Sequence, residues 1–594
     1  MKYLRKLRKH PNFWPLVIVT FFAILAGRFL IFQSGYFNMH DDLQMMRQLE
    51  MEKCFLDGQI PCRWVPDMGY GFGFPLFNFY PPLPYLIGEV IRVLGASFVT
   101  TVKLTFALSF VVSGVGMYLL VKDFFGRIGG VLASVFYIWA PYHAVDVYVR
   151  GAMNEAWALA WFPFIFWTGY RLVKEKKNQT KWIIGLALSW FALLTSHNLM
   201  VLIFAPLFGA WILLHLWREN SWRKIPQLVM SGILAFGLAA FFTLPALLEN
   251  KFTQIESVLV GYYDFTAHYV SIGQLLFSRF WGYGPSVWGI KDDRMSFQVG
   301  YVHWILSLLI GALIFIRLLK IKKKKKDMVK EIKKDVLLLV ASFFFVFGWA
   351  ITFMAHPRST FIWLAIPPLR LVQFPWRFLA IVIFAFSFLI GALPGLLEKL
   401  KISKRFLTKF IVTYFQIIIS SILILILVAL NWNYFKPEYG KMGPLTDKEK
   451  FSDAAWELQQ TAGIYDYLPS TAKTAPKEPR KDLAEVMGGE GEITKVEEGT
   501  YWAKFNANIE SDEAFIRINT FEFPNWKVTV DGLEVETYIH ENEVWGRMYI
   551  DISKGEHLVY AQLYNTWPRT AGNIISLVSW AGLITFPYWR KKRK

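Results

Sequence analysis

The chain has 594 residues, of which 54% are hydrophobic, 18% are aromatic and only 18% are charged. This composition excludes an ordinary soluble domain and is typical of a protein that crosses a membrane many times. The net charge of +19 lies mostly in short Lys/Arg runs between apolar segments, so it predicts cytoplasmic anchors rather than nucleic-acid binding.

Apolar segments of about 20 residues, the length that crosses a bilayer, predict about 12 transmembrane helices in an all-α membrane domain. They lie near 12–33, 102–121, 128–145, 155–172, 179–196, 199–217, 225–248, 299–319, 335–355, 377–397, 407–431 and 570–588. The first is too long for the core of a signal peptide, so we expect it to be retained as a span. The basic runs place both termini in the cytoplasm and the protein in the inner or plasma membrane of the cell.

One apolar segment, 81–97, is not counted among these spans. It begins with prolines and carries Glu89 and Arg92. A full crossing here would turn the later lysine-rich loops outward, so we predict a surface or re-entrant helix.

Five segments are then predicted to lie outside the cell: 34–101, 141–154, 249–298, 356–376 and 432–569. Both cysteines of the chain, Cys54 and Cys62, fall in the first of them. A disulfide between them and two unpaired thiols both remain open.

The last external segment differs in composition from the rest of the chain. Its alternating stretches, such as "TYWAKFNANI" and "HLVYAQLY", are separated by turn signals and predict β-strands. We therefore divide the chain into a transmembrane domain at 1–431 that includes the loop 34–101, an extracytoplasmic β-rich domain of the sandwich type at 432–569, and a final helix with a basic tail at 570–594.

The first external loop begins with three ionisable residues, His40, Asp41 and Asp42, just before a helical pattern. An aspartate at this position accepts hydrogen bonds from the free N–H groups of a helix start, which accounts for one of the two carboxylates. Capping and a catalytic or ion-binding role both remain open for the pair.

The second external loop carries four ionisable residues within thirteen positions, His143, Asp146, Arg150 and Glu155. Arg150 and Glu155 either neutralise one another or line a cavity, since charges at a helix mouth are often functional.

The segment between the ninth and tenth predicted spans brings His356, Arg358, Arg370 and Arg377 close to the membrane. Arginine binds phosphate through two parallel hydrogen bonds, so a lipid phosphate is one interpretation of this set. The other is an interfacial belt of arginines and of the aromatic residues Trp363, Phe374 and Trp376. His197 is interpreted as a structural residue of a helix turn.

No P-loop, HExxH, CxxC pair or nucleophile elbow occurs in the sequence. The acidic pair after the first span, "GYGFGFPLFNFYPPLPYL", "VRGAMNE", "QFPWRF" and "FPNWKVTVDG" together resemble the bacterial and archaeal membrane proteins named as related to 6-pyruvoyl-tetrahydropterin synthase. The layout is also similar to the GT-C superfamily of membrane glycosyltransferases.

That resemblance implies an enzyme that takes a sugar from a polyprenyl-phosphate lipid and transfers it to a glycan or protein acceptor of the cell envelope. It implies that Asp41 or Asp42 is the catalytic or metal-supporting carboxylate. Residues implied to bind donor phosphate or substrate are Arg150, Glu155, Arg370, Arg377, Arg358, His40 and His143. No clear second-loop DxD or DxE pair is present, so the use of Mg²⁺ or Mn²⁺, held by Asp41 and Asp42, stays open.

Two other functions compete with a glycosyltransferase. A transporter or a flippase for lipid-linked sugars would use the same charged residues to bind and release head groups. A non-catalytic scaffold would use the β-rich domain to bind envelope glycan.

Overall fold

The computed structural model describes residues 10–254, 259–286, 294–323, 327–399, 409–438, 443 and 446–592. These residues form two compact units. The first contains the described residues of 1–42, 102–235 and 261–445, and the second contains those of 43–101, 236–260 and 446–594. The boundaries thus follow three-dimensional contacts and not chain order.

Most of the described chain is helical. The α-helices are Phe13–Ala26, Arg28–Phe32, Gln44–Leu56, Leu76–Phe79, Leu83–Val93, Phe98–Ile138, Pro141–Ala144, Met153–Lys174, Gln179–Leu194, Asn198–Glu219, Ile225–Leu248, Tyr301–Lys323, Met328–Lys334, Val336–Met354, Thr360–Ala365, Leu379–Ile390, Leu393–Lys399, Lys409–Asn431, Asp447–Lys450, Asp453–Thr461 and Trp567–Lys592. Val145–Val149 and Gly273–Phe277 are π-helical, and short 3₁₀ turns lie between several of the α-helices.

Within the described residues, seven helical segments are long and apolar enough to cross a membrane. They are Phe98–Ile138, Asn198–Glu219, Trp222–Leu248, Tyr301–Lys323, Val336–Met354, Pro375–Glu398 and Val412–Tyr434. The structure thus confirms a mostly helical protein with several candidate spans, although it yields fewer of them than the twelve predicted.

The number of candidate spans is lower than the twelve predicted for identifiable reasons. Phe98–Ile138 contains two of the predicted spans, joined at a kink where Gly126 has φ +75°, a conformation that side chains disfavour. Phe13–Ala26 and Gln179–Leu194 are apolar but shorter. Met153–Lys174 and Trp567–Lys592 form at the predicted places, but neither is among the seven.

The helix Leu83–Val93 occupies the segment that was predicted to lie at the surface or to re-enter. Its 11 residues extend for about 16 Å, roughly half the hydrocarbon thickness of a bilayer. A helix of this length does not cross alone.

The first unit is organised around aromatic side chains. Every residue of the helix Leu379–Ile390 is buried, and Phe384 and Phe388 on it meet rings from four other helices. Phe162 and Phe204 stack with ring centroids 3.9 Å apart. Large buried rings fix the spacing of these helices, because each ring fills a gap that smaller residues would leave open.

The second unit contains an antiparallel sheet of six strands, β1 (Ala484–Gly488), β2 (Gly491–Glu498), β3 (Trp502–Phe521), β4 (Trp526–Val530), β5 (Leu533–Val535) and β6 (Arg547–Leu563). The order is β1-β3-β6-β4-β5, and β2 also pairs with β3. β3 is long enough for β1 and β2 to pair with it one after the other along the same edge. The described strands therefore build one sheet, and the sandwich prediction is corrected to a single β-sheet domain.

The two cysteines, which the sequence left open, form a disulfide in the second unit. It closes a short loop at the end of the helix Gln44–Leu56, and Gln59 within that loop donates to the carbonyl of Trp64 and to the hydroxyl of Thr500.

A buried ion pair joins distant segments of the second unit. Glu249 accepts a 2.9 Å hydrogen bond from Arg569 and a 2.8 Å bond from Asn78, and it also accepts from the hydroxyl of Thr566. Arg63 donates to Asn78 and Asn573. Residues from the first loop, from the end of Ile225–Leu248 and from the start of Trp567–Lys592 thus meet at one carboxylate.

We expect Glu249→Gln to lower the free energy of unfolding by about 3–5 kcal/mol, because Arg569 would be left as a buried cation without its partner. The measurement is thermal or denaturant unfolding of the purified chain in detergent. The matched control is Glu534→Gln, which breaks an exposed pair with Lys527 and should change stability by about 0–1 kcal/mol. Equal stability of the two variants would contradict the role assigned to Glu249.

A second expectation concerns Glu89, whose pKa burial raises to about 7, although a hydrogen bond from Gln48 and the charge of Arg92 oppose the shift. Since its ordinary pKa is 4.5, the folded protein holds a proton that the unfolded chain releases between these values. Stability from this group is thus fully present below pH 4.5 and is lost as the pH rises to about 7.

Glu89→Gln should remove this part of the pH dependence, which unfolding measured at pH 5 and at pH 8 would test. A wild-type and a variant chain whose stabilities fall equally over that interval would show that Glu89 does not contribute.

Candidate functional site

The candidate site lies in the first unit, where a π-helical turn sets the positions of the second-loop residues. Val145–Val149 follows the short helix Pro141–Ala144, and the N–H of Arg150 donates to the carbonyl of Val145 at 2.8 Å. Isolated π turns often occur at functional sites, because the extra residue shifts the side chains that follow. Here the turn brings Asp146 and Arg150 together ahead of Met153–Lys174, the helix that carries Glu155.

Arg150 is held by two carboxylates. Its Nη1 lies 2.6 Å from Asp146 Oδ1 and 2.6 Å from Glu155 Oε2, and both acids are fully buried. Tyr142 donates its hydroxyl to the other Glu155 oxygen at 2.6 Å. The guanidinium also lies 4.7 Å from the centre of the Trp376 ring, a cation–π distance. The second-loop residues therefore form a compact cluster in which one guanidinium faces two carboxylates.

Burial alone would lower the pKa of Arg150, but the carboxylates of Glu155 and Asp146 and the phenol of Tyr142 raise it above its ordinary value. Burial raises the pKa of Asp146, and the neighbouring charge of Glu155 raises it further. The guanidinium thus keeps its charge, and Asp146 is the more easily protonated partner.

Arg377 completes the charge balance of this cluster. Its Nε lies 3.8 Å from Glu155 Oε2, and its Nη1 donates to the carbonyl of Val372 and the side chain of Gln373. Among the described residues, the Nε atom is buried without a hydrogen-bond partner. Arg377 therefore has a donor left over.

The first-loop residues approach this cluster through the backbone. The N–H of His40 donates to the carbonyl of Val149 at 3.1 Å, and that of Asp41 donates to the carbonyl of Arg150 at 2.9 Å. This close approach needs Gly151, which has φ +60° and where a Cβ atom would lie 2.1 Å from the sulfur of Met39. The glycine of "VRGAMNE" thus lets the first loop pass directly over the second.

His40 is exposed on this surface, and its Nε2 lies 3.0 Å from the carbonyl of Tyr283. Partial burial lowers its pKa, and the charge of Arg150 acts in the same direction, although the carbonyl of Tyr283 and the charge of Asp41 oppose the shift. The imidazole is therefore neutral near pH 7.

The structure separates the remaining predicted residues into two groups. His143 is fully buried, and its Nδ1 lies 3.1 Å from the carbonyl of Tyr137, so it serves as a core residue next to the cluster. Arg358 and Arg370 are exposed, and among the described residues neither forms an ion pair with the buried acids. These two arginines are available to a ligand at the surface only.

Sequence reasoning left three contributors out of the site. Asp146 was noted in its loop but not assigned to the site, Tyr142 gave no signal, and Trp376 was interpreted as part of an interfacial belt. His197 caps the helix Asn198–Glu219, as its interpretation as a helix-turn residue supposed. The charges of Glu155 and Arg377 also act on it, so it lies near the cluster.

Within the described part of the chain, no group of three or more His, Cys, Asp or Glu side chains is placed to hold a metal ion. The carboxylates of Asp146 and Glu155 share a guanidinium instead, which occupies the space between them.

Comparison with known proteins gives a family match. The family model described as "6-pyruvoyl-tetrahydropterin synthase related domain; membrane protein" matches residues 77–435, more than half of the chain. A protein of Lactococcus lactis subsp. cremoris described as uncharacterized is 25% identical over 261 residues, which are 42% of this chain and 42% of that protein.

Among solved structures, the Archaeoglobus fulgidus oligosaccharyltransferase in its apo form is 14% identical with a TM-score of 0.44, over 80% of this chain and 62% of that chain. The same enzyme tethered to an acceptor peptide is 13% identical with a TM-score of 0.39, over 80% and 61%. This chain thus spans less than two thirds of these relatives, and at such similarity the structures support no argument about its activity.

The sequence predicted the same binding role for Arg150 and Arg370, but Arg150 is paired with buried acids and Arg370 is exposed. We expect Arg150→Met to cost about 3–5 kcal/mol of unfolding free energy, since it strands two buried carboxylates, whereas Arg370→Met should stay within about 0.5 kcal/mol. Melting temperatures of the three proteins in one detergent measure the difference. Similar losses in both variants would show that the buried pairing is not what stabilises the site.

Proposed function

This chain belongs to the family of 6-pyruvoyl-tetrahydropterin synthase related membrane proteins, and we propose that it is a membrane glycosyltransferase that uses a polyprenyl-phosphate sugar as donor. The protein crosses the membrane several times, and the matched region includes Arg150, Glu155 and Arg377. The observation that carries the proposal is the backbone contact of His40 and Asp41 with Val149 and Arg150, which holds the acidic doublet beside the arginine cluster.

Such a contact suits glycosyl transfer, which needs a base for the acceptor and positive charge near the leaving group. In the proposed step, Asp41 takes the proton of an acceptor hydroxyl as its oxygen bonds to the anomeric carbon of the donor. The bond from that carbon to the phosphate oxygen breaks, and its electron pair leaves with the polyprenyl phosphate. Asp42 is the second candidate for the base, and the neutral imidazole of His40 orients the carboxylate or the hydroxyl.

The arginines have different roles in this proposal. Arg150 is a positioning residue, because its charge is already matched by Asp146 and Glu155. Arg377 has a donor left over and is proposed to hold the phosphate, while the exposed Arg358 and Arg370 are proposed to attract it. Fixed positive groups stabilise the negative charge that develops on the leaving phosphate.

The membrane explains why the donor is lipid-linked. A polyprenyl tail stays in the hydrocarbon while its head group reaches the site, and the surrounding apolar chain limits hydrolysis by water. We place the reaction on the extracytoplasmic side of the cell membrane, with an envelope glycan or protein as acceptor and with both termini in the cytoplasm.

The test is transfer from radiolabelled polyprenyl-phosphate hexoses to an envelope extract by the purified chain in liposomes. Because general-base catalysis contributes about 10²–10⁴ in rate, Asp41→Asn should lower kcat by that factor, and the Asp41→Asn, Asp42→Asn double variant by at least as much. The matched control is Asp264→Asn, which alters an aspartate of the same unit that caps a short 3₁₀ helix and should leave transfer unchanged.

The same assay separates the competing functions. Equal transfer by the wild-type chain and the double variant would remove Asp41 and Asp42 as catalytic residues. Movement of the labelled head group across the liposome without transfer would instead support a flippase. Absence of both activities with every donor in the panel would favour a scaffold.

A further inference from the structure

A group of arginine and aromatic side chains in the first unit has no role in the reaction above. We call it the arginine–aromatic edge, and it consists of Arg28, Phe277, Arg279, Phe280 and Trp432. Two candidate spans meet here, one that begins at Tyr301 and one that ends at Tyr434. The first of these spans carries lysines in its last turn, which is typical of a cytoplasmic end. We therefore expect the arginine–aromatic edge at the opposite surface of the membrane.

Arg279 contacts both of these span ends. Its Nη2 donates to the carbonyl of Leu430 at 2.8 Å and to the hydroxyl of Tyr434 at 3.5 Å, and its guanidinium carbon lies 5.7 Å from the centre of the Tyr301 ring. A cation beside the last carbonyls of a helix is a common cap, so capping accounts for Nη2. Among the described residues, Nε and Nη1 of this exposed side chain have no partner, and capping does not account for them.

Arg28 binds the same helix end from another segment of the chain. Its Nη2 donates to the carbonyl of Trp432 at 3.4 Å, and its guanidinium carbon lies 3.9 Å from the centre of that ring. In the described part of the chain, neither Arg28 nor Arg279 forms an ion pair with a carboxylate. Two cations without a counter-ion at a membrane surface attract anionic head groups, and a guanidinium matches phosphate in geometry.

The apolar part of the ligand is indicated by the neighbours of Arg279. Phe277 and Phe280 flank it in sequence, and their side chains are 59% and 41% exposed. Exposed rings beside an arginine at the end of a span are typical of the membrane interface, where rings contact lipid chains and the cation contacts head groups. A lipid that carries a phosphate satisfies both features, whereas free phosphate would leave the rings without a partner.

The segment that carries Arg279 is fixed at both ends. Before it, the carbonyl of Leu276 accepts from the indole of Trp304 at 2.9 Å. After it, Tyr283 donates its hydroxyl to the carbonyl of Pro437 at 3.0 Å, and its own carbonyl lies 3.0 Å from Nε2 of His40. The segment is thus preorganised, which lowers the entropic cost of binding, and it leads directly to a residue of the candidate site.

We infer that Arg279, with Arg28 as a second cation, binds the phosphate of a membrane lipid whose chains lie along Phe277 and Phe280. The statement that this lipid is the polyprenyl-phosphate donor rests on the proposed function, but binding of a lipid phosphate does not. If it is the donor, the arginine–aromatic edge receives it from the bilayer, and Arg377 holds the phosphate during the reaction.

The probes for the test are tritiated polyprenyl phosphate, phosphatidylglycerol and the uncharged polyprenol, each titrated onto the full-length chain in mixed micelles. We expect saturable binding of at least one of the two phosphate lipids and much weaker binding of polyprenol. Arg279→Gln should raise the Kd of the phosphate lipid by about tenfold, because it removes the charge and the paired donors. Arg279→Lys keeps the charge but not the planar pair of donors and should give a smaller rise.

The matched control is Arg223→Gln, which alters another exposed arginine of the first unit beside an exposed tryptophan, Trp222. This variant should bind the phosphate lipid like the wild type. Melting temperatures of all variants, measured in the same micelles, separate a loss of binding from a loss of folding. Excess inorganic phosphate should not displace the lipid, because it cannot contact the rings.

The outcomes distinguish this site from the proposed reaction. The Asp41→Asn, Asp42→Asn double variant should bind lipid normally, so binding without any sugar transfer would support the site while the enzyme proposal fails. Equal affinity for both phosphate lipids would support a general lipid-phosphate site and remove its assignment to the donor. Equal binding of polyprenol, displacement by inorganic phosphate, or an unchanged Kd in Arg279→Gln would overturn the inference even if transfer occurs.

Discussion

Two buried carboxylates that share one guanidinium are the constraint on which the first unit depends. Asp146 and Glu155 are both inaccessible to water, and each lies 2.6 Å from Nη1 of Arg150. An arrangement of this kind tolerates little movement, because a lost partner leaves a charge in a medium of low polarity. The same rigidity makes the backbone of Val149 and Arg150 a fixed edge against which His40 and Asp41 are held.

The hydropathy pattern of the sequence alone predicts much of the architecture. Every predicted span coincides with a helix, because a stretch of apolar residues that long must satisfy its backbone internally wherever it is buried. The number of membrane spans was harder to predict, because a helix can be long and apolar without facing lipid. Helices such as Met153–Lys174 are buried against protein rather than lipid, so they carry charged residues that a lipid-facing span would lack.

The partners within the site were harder to predict, because they depend on contacts between segments that are far apart in sequence. The pattern "VRGAMNE" does not predict that its glycine contacts Met39, or that Tyr142 donates a hydrogen bond to Glu155. Arg358, Arg370 and Arg377 look equivalent in the sequence, yet among the described residues only Arg377 of the three forms an ion pair with a buried acid of the cluster. In the β-rich segment, alternation found the strands, but whether they form one sheet or two is decided by the lengths of β3 and β6 and not by their composition.

The π-helical turn at Val145–Val149 also has a consequence for how this region tolerates genetic change. An α-helix advances by about 100° per residue, so removing one amino acid from the turn would let it relax into regular winding and rotate everything after it around the axis. Conservative replacements there alter one contact each, whereas a single-codon deletion would aim Arg150 away from Glu155 altogether. In this stretch, the number of residues is therefore more tightly constrained than their identity.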